Sequence, residues 1–270
     1  MRLVLDVENS ITKRDDKNHI DPFEPENHLV QVGYLDADDP EATLTIKTLD
    51  HNESKDDTGF QRLDIQWTLD NTDLLIMHNA QHDLMWLWAC GFRYNGDIYD
   101  TMLAEYLLDR GQRNGLSLEA CAERRNLKFQ KQDTLKRYYK QGLNTNEIPY
   151  EELCHYLKHD LLTTSELFHS QEADFAKPEA ASLSTIKRVT FNTCKTLTEI
   201  YIETRLQKKV REVMGDTPIN LRSPEQKSQV LFSRRVHDKK EWADLFEFTS
   251  TQEEFKDAVA ANSSPIYRTT

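Results

Sequence analysis

The chain has 270 residues, 38% hydrophobic and 30% charged, with a formal net charge of −12; such a composition buries a core beneath a solvated surface and excludes wholesale disorder. The length suits one large domain plus a smaller appendage. The longest nearly uninterrupted apolar run, Leu84–Phe92, falls far short of the roughly 20 residues of a membrane span, and Asp6 and Glu8 break any signal-peptide core, so no membrane partner and a cytoplasmic location are expected.

Leu3–Val7 reads as a short strand buried on both faces and ending in acids. His28–Leu35 and Ala42–Leu49 alternate apolar and polar residues around Asp38, Asp39 and Pro40, the pattern of a hairpin. Phe60–Leu69 sets Phe60, Leu63, Ile65 and Trp67 at helical spacing, Asp73–Met77 is another buried strand, and a helix from Ala80 through Leu84, Trp86, Leu87 and Trp88 is closed by Gly91. Ile98 opens a short strand that runs into Met102–Leu108. Leu116–Leu127, Thr134–Lys140 and Tyr150–Phe168 then read as helices. The Ala- and charge-rich stretch Gln171–Pro178 marks the expected edge between a domain over 1–175 and a mostly helical one over 176–270. The second opens on a long helix, Ala180–Val213, whose apolar positions include Ile186, Val189, Phe191, Leu197, Ile200 and Leu206. Ser223-Pro224-Glu225-Gln226 is a capping-box signature for one more helix. The periodicity supports mixed α/β with a helical C-terminal half.

Cys90, Cys121, Cys154 and Cys194 lie 31, 33 and 40 residues apart, which gives neither a zinc cage nor a disulfide framework. Residues 1–175 carry 18 basic against 33 acidic side chains, an excess that discourages phosphate binding, whereas 176–270 carry 16 against 13. Within the acidic part, residues 110–140 hold nine basic side chains, Arg124 and Arg125 among them, against three acidic ones. That patch is available to a nucleic-acid strand, or is simply a pair of solvated helix faces.

Three pairs carry candidate chemistry. Asp6 and Glu8, two apart on a strand, project from one face, and crowded carboxylates call for a cation or a proton between them. Asn79 and Asp83 stand where a strand gives way to a helix; each also has a structural task open to it, as N-cap and as first-turn acid. Tyr156 and Asp160, at i and i+4, place a phenol beside a carboxylate on one helix face.

Together, Asp6-x-Glu8, Asn79-x-x-x-Asp83 and Tyr156-x-x-x-Asp160 resemble the proofreading 3'-5' exonuclease domain of family A DNA polymerases, the tyrosine-type DEDD branch. The segment Asp100-Thr101-Met102-Leu103-Ala104-Glu105-Tyr106-Leu107-Leu108 is similar to the family's DT...A..LL block, and Leu116-Ser117-Leu118-Glu119-Ala120 to its LSL helix. Ile219-Asn220-Leu221-Arg222-Ser223-Pro224-Glu225-Gln226 and Val230-Leu231-Phe232 resemble the start of the polymerase portion in phage-type members. About 50 residues at most follow this block, too few for fingers and palm, so no polymerase activity is expected from the chain alone. Asn9 stands where the family often has threonine, and His82 where an aromatic residue more often precedes the aspartate.

The resemblance implies a ribonuclease-H-like mixed five-stranded sheet flanked by helices. It implies that Asp6, Glu8, Asp83 and Asp160 hold two Mg2+ or Mn2+ ions and that Tyr156 orients the attacking water. Asn79 and His82, with Arg124 and Arg125 of the basic patch, are the expected substrate contacts. The implied substrate is single-stranded DNA or a primer 3' terminus, and the implied partner is a separate polymerase chain or replisome protein. Three other readings stay open: a ribonuclease D-like RNA exonuclease, a non-catalytic binding module, and an unrelated endonuclease of the same fold.

Overall fold

A computed structural model describes residues 1–214, apart from 15–16, 24–25, 55–57, 111, 113 and 130–134. The polymerase-like block at 219–232 lies outside the described residues. The chain divides into two compact units, Met1–Glu199 and Ile200–Thr270.

The centre of the first unit is strand β1 (Arg2–Asn9), whose Leu3, Val4, Leu5 and Val7 are all buried. After a small hairpin of β2 (Thr12–Arg14) and β3 (Lys17–His19), strand β4 (Leu29–Asp36) returns antiparallel to β1. A single helical turn, α1 (Pro40–Thr43), precedes β5 (Thr45–Thr48), which pairs antiparallel with β4. The hairpin is therefore present, but its second strand starts at Thr45 rather than Ala42. Pro40 presets a helical φ, and Thr43 closes the turn: its hydroxyl accepts from the Asp36 amide at 2.8 Å and donates to the Asp39 carbonyl at 2.6 Å.

Helix α2 (Thr58–Asp70) leads to β6 (Leu74–Met77), α3 (Ala80–Ala89) to β7 (Asp97–Asp100), and α4 (Thr101–Leu108) follows at once. Strands β6 and β7 run parallel to β1, completing a mixed five-stranded sheet in the order β5-β4-β1-β6-β7. Gly91, at φ 92°, ends the turn after α3 in a conformation that glycine adopts without steric cost. Helices α5 (Leu118–Arg124), α6 (Lys136–Lys140), α7 (Tyr150–Phe175) and α8 (Ala181–Met214) complete the described chain.

One expectation changes. Helix α7 does not stop at Phe168 but continues to Phe175, inside the Gln171–Pro178 stretch, because Gln171 and Phe175 are buried against the rest of the unit. The apolar positions at helical spacing divide between two faces on two helices. Ile65, Thr68 and Leu69 form the buried side of α2 while Phe60, Leu63 and Trp67 are exposed, and on α8 Phe191 is buried while Ile186, Val189, Leu197 and Ile200 are exposed. Among the described residues, no helix is long and apolar enough to cross a membrane.

Candidate active site

Asp6 and Glu8 occupy alternate positions near the C-terminal end of β1, opposite Gly33 and Gln31 of β4, and both are half-buried. Asp83, in the first turn of α3, is 1% exposed. Helix α7 crosses the same sheet and supplies buried Asp160 and half-buried Tyr156 one turn apart.

Electrostatics link these segments. Burial, then the charges of Asp6 and Asp100, push the Asp83 carboxyl well above the usual carboxylate range, with a partial offset from the Val7 amide. Burial also pushes the Tyr156 phenol up, reinforced by Asp160, Glu8 and Asp6, and its hydroxyl donates to Asp160. Asp6 thus faces both Asp83 and Tyr156, and the structure brings the five residues to one end of β1.

Around them the second motif is arranged differently from a simple cap. Asn79 takes the N-cap position of α3 at φ 66° and ψ 57°, and its side chain makes no capping hydrogen bond. The cap comes instead from Asp100, whose carboxylate accepts from the Asn79 and Ala80 amides. Sequence reasoning met Asp100 only inside a family block; the available signal was an Asp-Thr pair directly before a helix. His82 Nε2 bonds Asn9 Oδ1 at 3.1 Å, so the two positions that depart from the family pattern are partners. Burial lowers the His82 pKa, and because Asn9 Oδ1 can only accept, Nε2 donates in this bond.

Arg124 and Arg125, the expected substrate contacts, are paired within the fold. Glu105, 1% exposed on α4, accepts from Arg124 Nη2 at 3.0 Å, Arg125 Nε at 2.7 Å and Gln171 Nε2 at 2.8 Å. Arg125 also reaches Asp174 at 2.8 Å. These guanidiniums compensate a buried acid and fasten α5 to α4 and α7. Arg137 is likewise paired with Glu152, at 3.0 Å. Much of the described basic patch is thus engaged within the fold.

Among the described residues, no three His, Cys, Asp or Glu side chains close around a single point. The donor chemistry nevertheless fits a hard divalent cation. Four carboxylates arrive from three segments, and both Asp83 oxygens are buried with no hydrogen bond of good geometry.

Residues 40–173 match the family model described as 3'-5' exonuclease. The matched exonuclease region contains Asn79, Asp83, Tyr156 and Asp160, while Asp6 and Glu8 precede it. No curated protein sequence matches the chain. Among solved structures, Brucella melitensis NrnC bound to pGG is similar at TM-score 0.51 and 16% identity, over 74% of this chain and 83% of that one. A structure described as the apo form of the nuclease is similar at TM-score 0.53 and 12% identity, over the same shares. NrnC with bound Mg2+ is similar at TM-score 0.50 and 16% identity, over 74% and 84%. The fold is that of the ribonuclease-H-like exonucleases.

Proposed function

We propose that the chain is a divalent-metal-dependent 3'-5' exonuclease that removes nucleoside 5'-monophosphates from the 3' end of single-stranded DNA. The observation that carries this reading is the gathering of Asp6, Glu8, Asp83 and Asp160 beside Tyr156, in a chain whose residues 40–173 match the 3'-5' exonuclease model. Asp6, Glu8, Asp83 and Asp160 would hold two Mg2+ or Mn2+ ions, and the Mg2+ bound by NrnC supports the choice of cation. Such ions supply an activated water and offset charge at the scissile phosphate.

Water attacks phosphorus, the bond to the 3' oxygen breaks, and that oxygen takes up a proton. Burial and the neighbouring acids favour the protonated Tyr156 phenol, which in this reading orients the water as a hydrogen-bonding group. Asn79, exposed in its turn, and His82, fixed by Asn9, would contact the terminal nucleotide.

DNA is favoured by the polymerase-like block at 219–232. In this reading residues 176–270 are the helical beginning of a polymerase region, and the activity serves proofreading with a separate polymerase chain or replisome protein. A second reading, a ribonuclease D-like RNA exonuclease, draws on the fold neighbour bound to pGG. Digestion of 5'-labelled single-stranded DNA and RNA of matched sequence, with Mg2+, with EDTA and with Asp6→Ala, tests both. The expected result is a ladder shortening from the 3' end of DNA, absent with EDTA and in the variant. Preferential RNA shortening selects the second reading, and digestion by Asp6→Ala overturns the site.

A further inference from the structure

Asp100, 1% exposed at the end of β7, joins the beginnings of two helices. Its Oδ2 accepts from the Ala80 amide at 3.0 Å, and its Oδ1 accepts from the amides of Asn79 at 3.2 Å, Met102 at 2.9 Å and Leu103 at 3.2 Å. The first two amides open α3, which carries Asp83; the last two open α4. Helix N-termini present unsatisfied N–H groups and partial positive charge, and a single carboxylate here answers both.

This arrangement explains the backbone of Asn79. An asparagine that caps its own helix has an extended backbone, but Asn79 is left-handed, a conformation that costs a non-glycine residue energy and persists only where the surroundings impose it. Asp100 takes over the capping, and the Asn79 side chain is left exposed beside the site. The same turn is gripped from its other side. His78 Nδ1 bonds Thr101 Oγ1 at 2.8 Å and its Nε2 bonds the Leu116 carbonyl at 3.0 Å, while Gln171 donates to the Thr101 carbonyl at 2.8 Å.

We propose that Asp100 is a positioning residue for hydrolysis: its carboxylate sets the 78–83 turn so that Asp83 meets the acids of β1 and Asn79 faces the substrate. The inference rests on the exonuclease reading. It requires that loss of the carboxylate misalign the site more than it weakens substrate binding.

The test compares Asp100→Asn with Glu105→Gln, a substitution at an equally buried acid that braces α4, α5 and α7 and makes no direct contact with the turn. Asp100→Asn keeps an accepting Oδ1 for the Asn79, Met102 and Leu103 amides and sets its NH2 against the Ala80 donor. Circular dichroism confirms folding, and if Asp100→Asn does not fold, Asp100→Ser, which still caps α4, replaces it. Asp100→Asn is expected to lower kcat on single-stranded DNA by about 10- to 100-fold with little change in KM, and to speed hydrogen exchange at the Ala80 amide. Glu105→Gln is expected to lower the melting temperature and leave kcat unchanged. Unchanged kcat in Asp100→Asn, or equal losses in both variants, overturns the positioning role while the exonuclease reading stands. A wild-type chain that digests neither DNA nor RNA overturns that reading, and the positioning role with it.

Discussion

Glu105 illustrates what a single buried charge demands. Its carboxylate is enclosed by Arg124, Arg125 and Gln171, so removing it leaves Arg125 with Asp174 and Arg124 with Asp109 at 3.6 Å. Glu105→Ala should cost about 1.5–3 kcal/mol, read by urea unfolding. Arg124→Ala should lower stability and leave KM for an oligonucleotide unchanged; a raised KM with normal stability would restore the arginine to the substrate site. The sequence could not reveal this role, because the partner acid lies 19 residues away and only the fold brings it near. Tyr34 carries a second prediction at this scale. Burial pushes its phenol up to about 12, and its hydroxyl donates to Asp64 at 3.0 Å. A pKa raised in the folded state contributes stability that is complete below the unfolded value of about 10 and is lost as pH rises through the folded value. Melting temperature should therefore fall between pH 10 and about 12, and less steeply in Tyr34→Phe. The fall should not vanish, since Tyr94, Tyr99 and Tyr156 are raised by burial as well.

At the scale of elements, the approach of α7 to the sheet decides whether its two site residues reach β1. Gly33 permits that approach. A Cβ there would sit 2.7 Å from Leu161 Cδ1 and 2.9 Å from Leu157 Cγ, and Gly33 is the register partner of Asp6. Gly33→Val should lift α7 and carry Tyr156 and Asp160 away from Asp6. Overpacking of this kind costs about 1–3 kcal/mol, and the expected signature is a kcat loss larger than the fall in stability explains. A variant destabilised but fully active at low temperature would show that α7 tolerates the shift. Elements were legible where pattern and length agreed: the buried strand with Leu3, Val4, Leu5 and Val7, the Trp-rich helix closed by Gly91, the i and i+4 pair on α7. The covered face of a helix was less so. Periodicity says which residues share a side, and Phe60, Leu63 and Trp67 do, but a neighbouring element decides which side is buried.

For the molecule as a whole, the acids that make the site legible also make it costly. Asp6, Glu8, Asp83, Tyr156 and Asp160 could be picked out of the sequence through their resemblance to the exonuclease pattern; the joint capping of two helices by Asp100 and the Asn9–His82 pair, which depend on contacts between distant segments, could not. In a chain of net charge −12, several carboxylates face one another with little water to screen them. The Asp83 carboxyl is raised by burial and by Asp6, so the folded state holds its proton more tightly than the unfolded state does. Its contribution to stability is complete below the ordinary carboxylate range and declines as pH rises through the raised value. Asp83→Asn keeps the shape and removes the charge. The variant should melt above wild type in EDTA at pH 8, with the gap narrowing at acid pH. Mg2+ should reverse the order. A ligand at about 100 times its Kd stabilises the state that binds it by about 2.7 kcal/mol, and wild type should show that rise while Asp83→Asn shows little of it. A variant that melts below wild type in EDTA and keeps the full Mg2+ shift would remove Asp83 from the proposed metal site, leaving the cation to Asp6, Glu8 and Asp160.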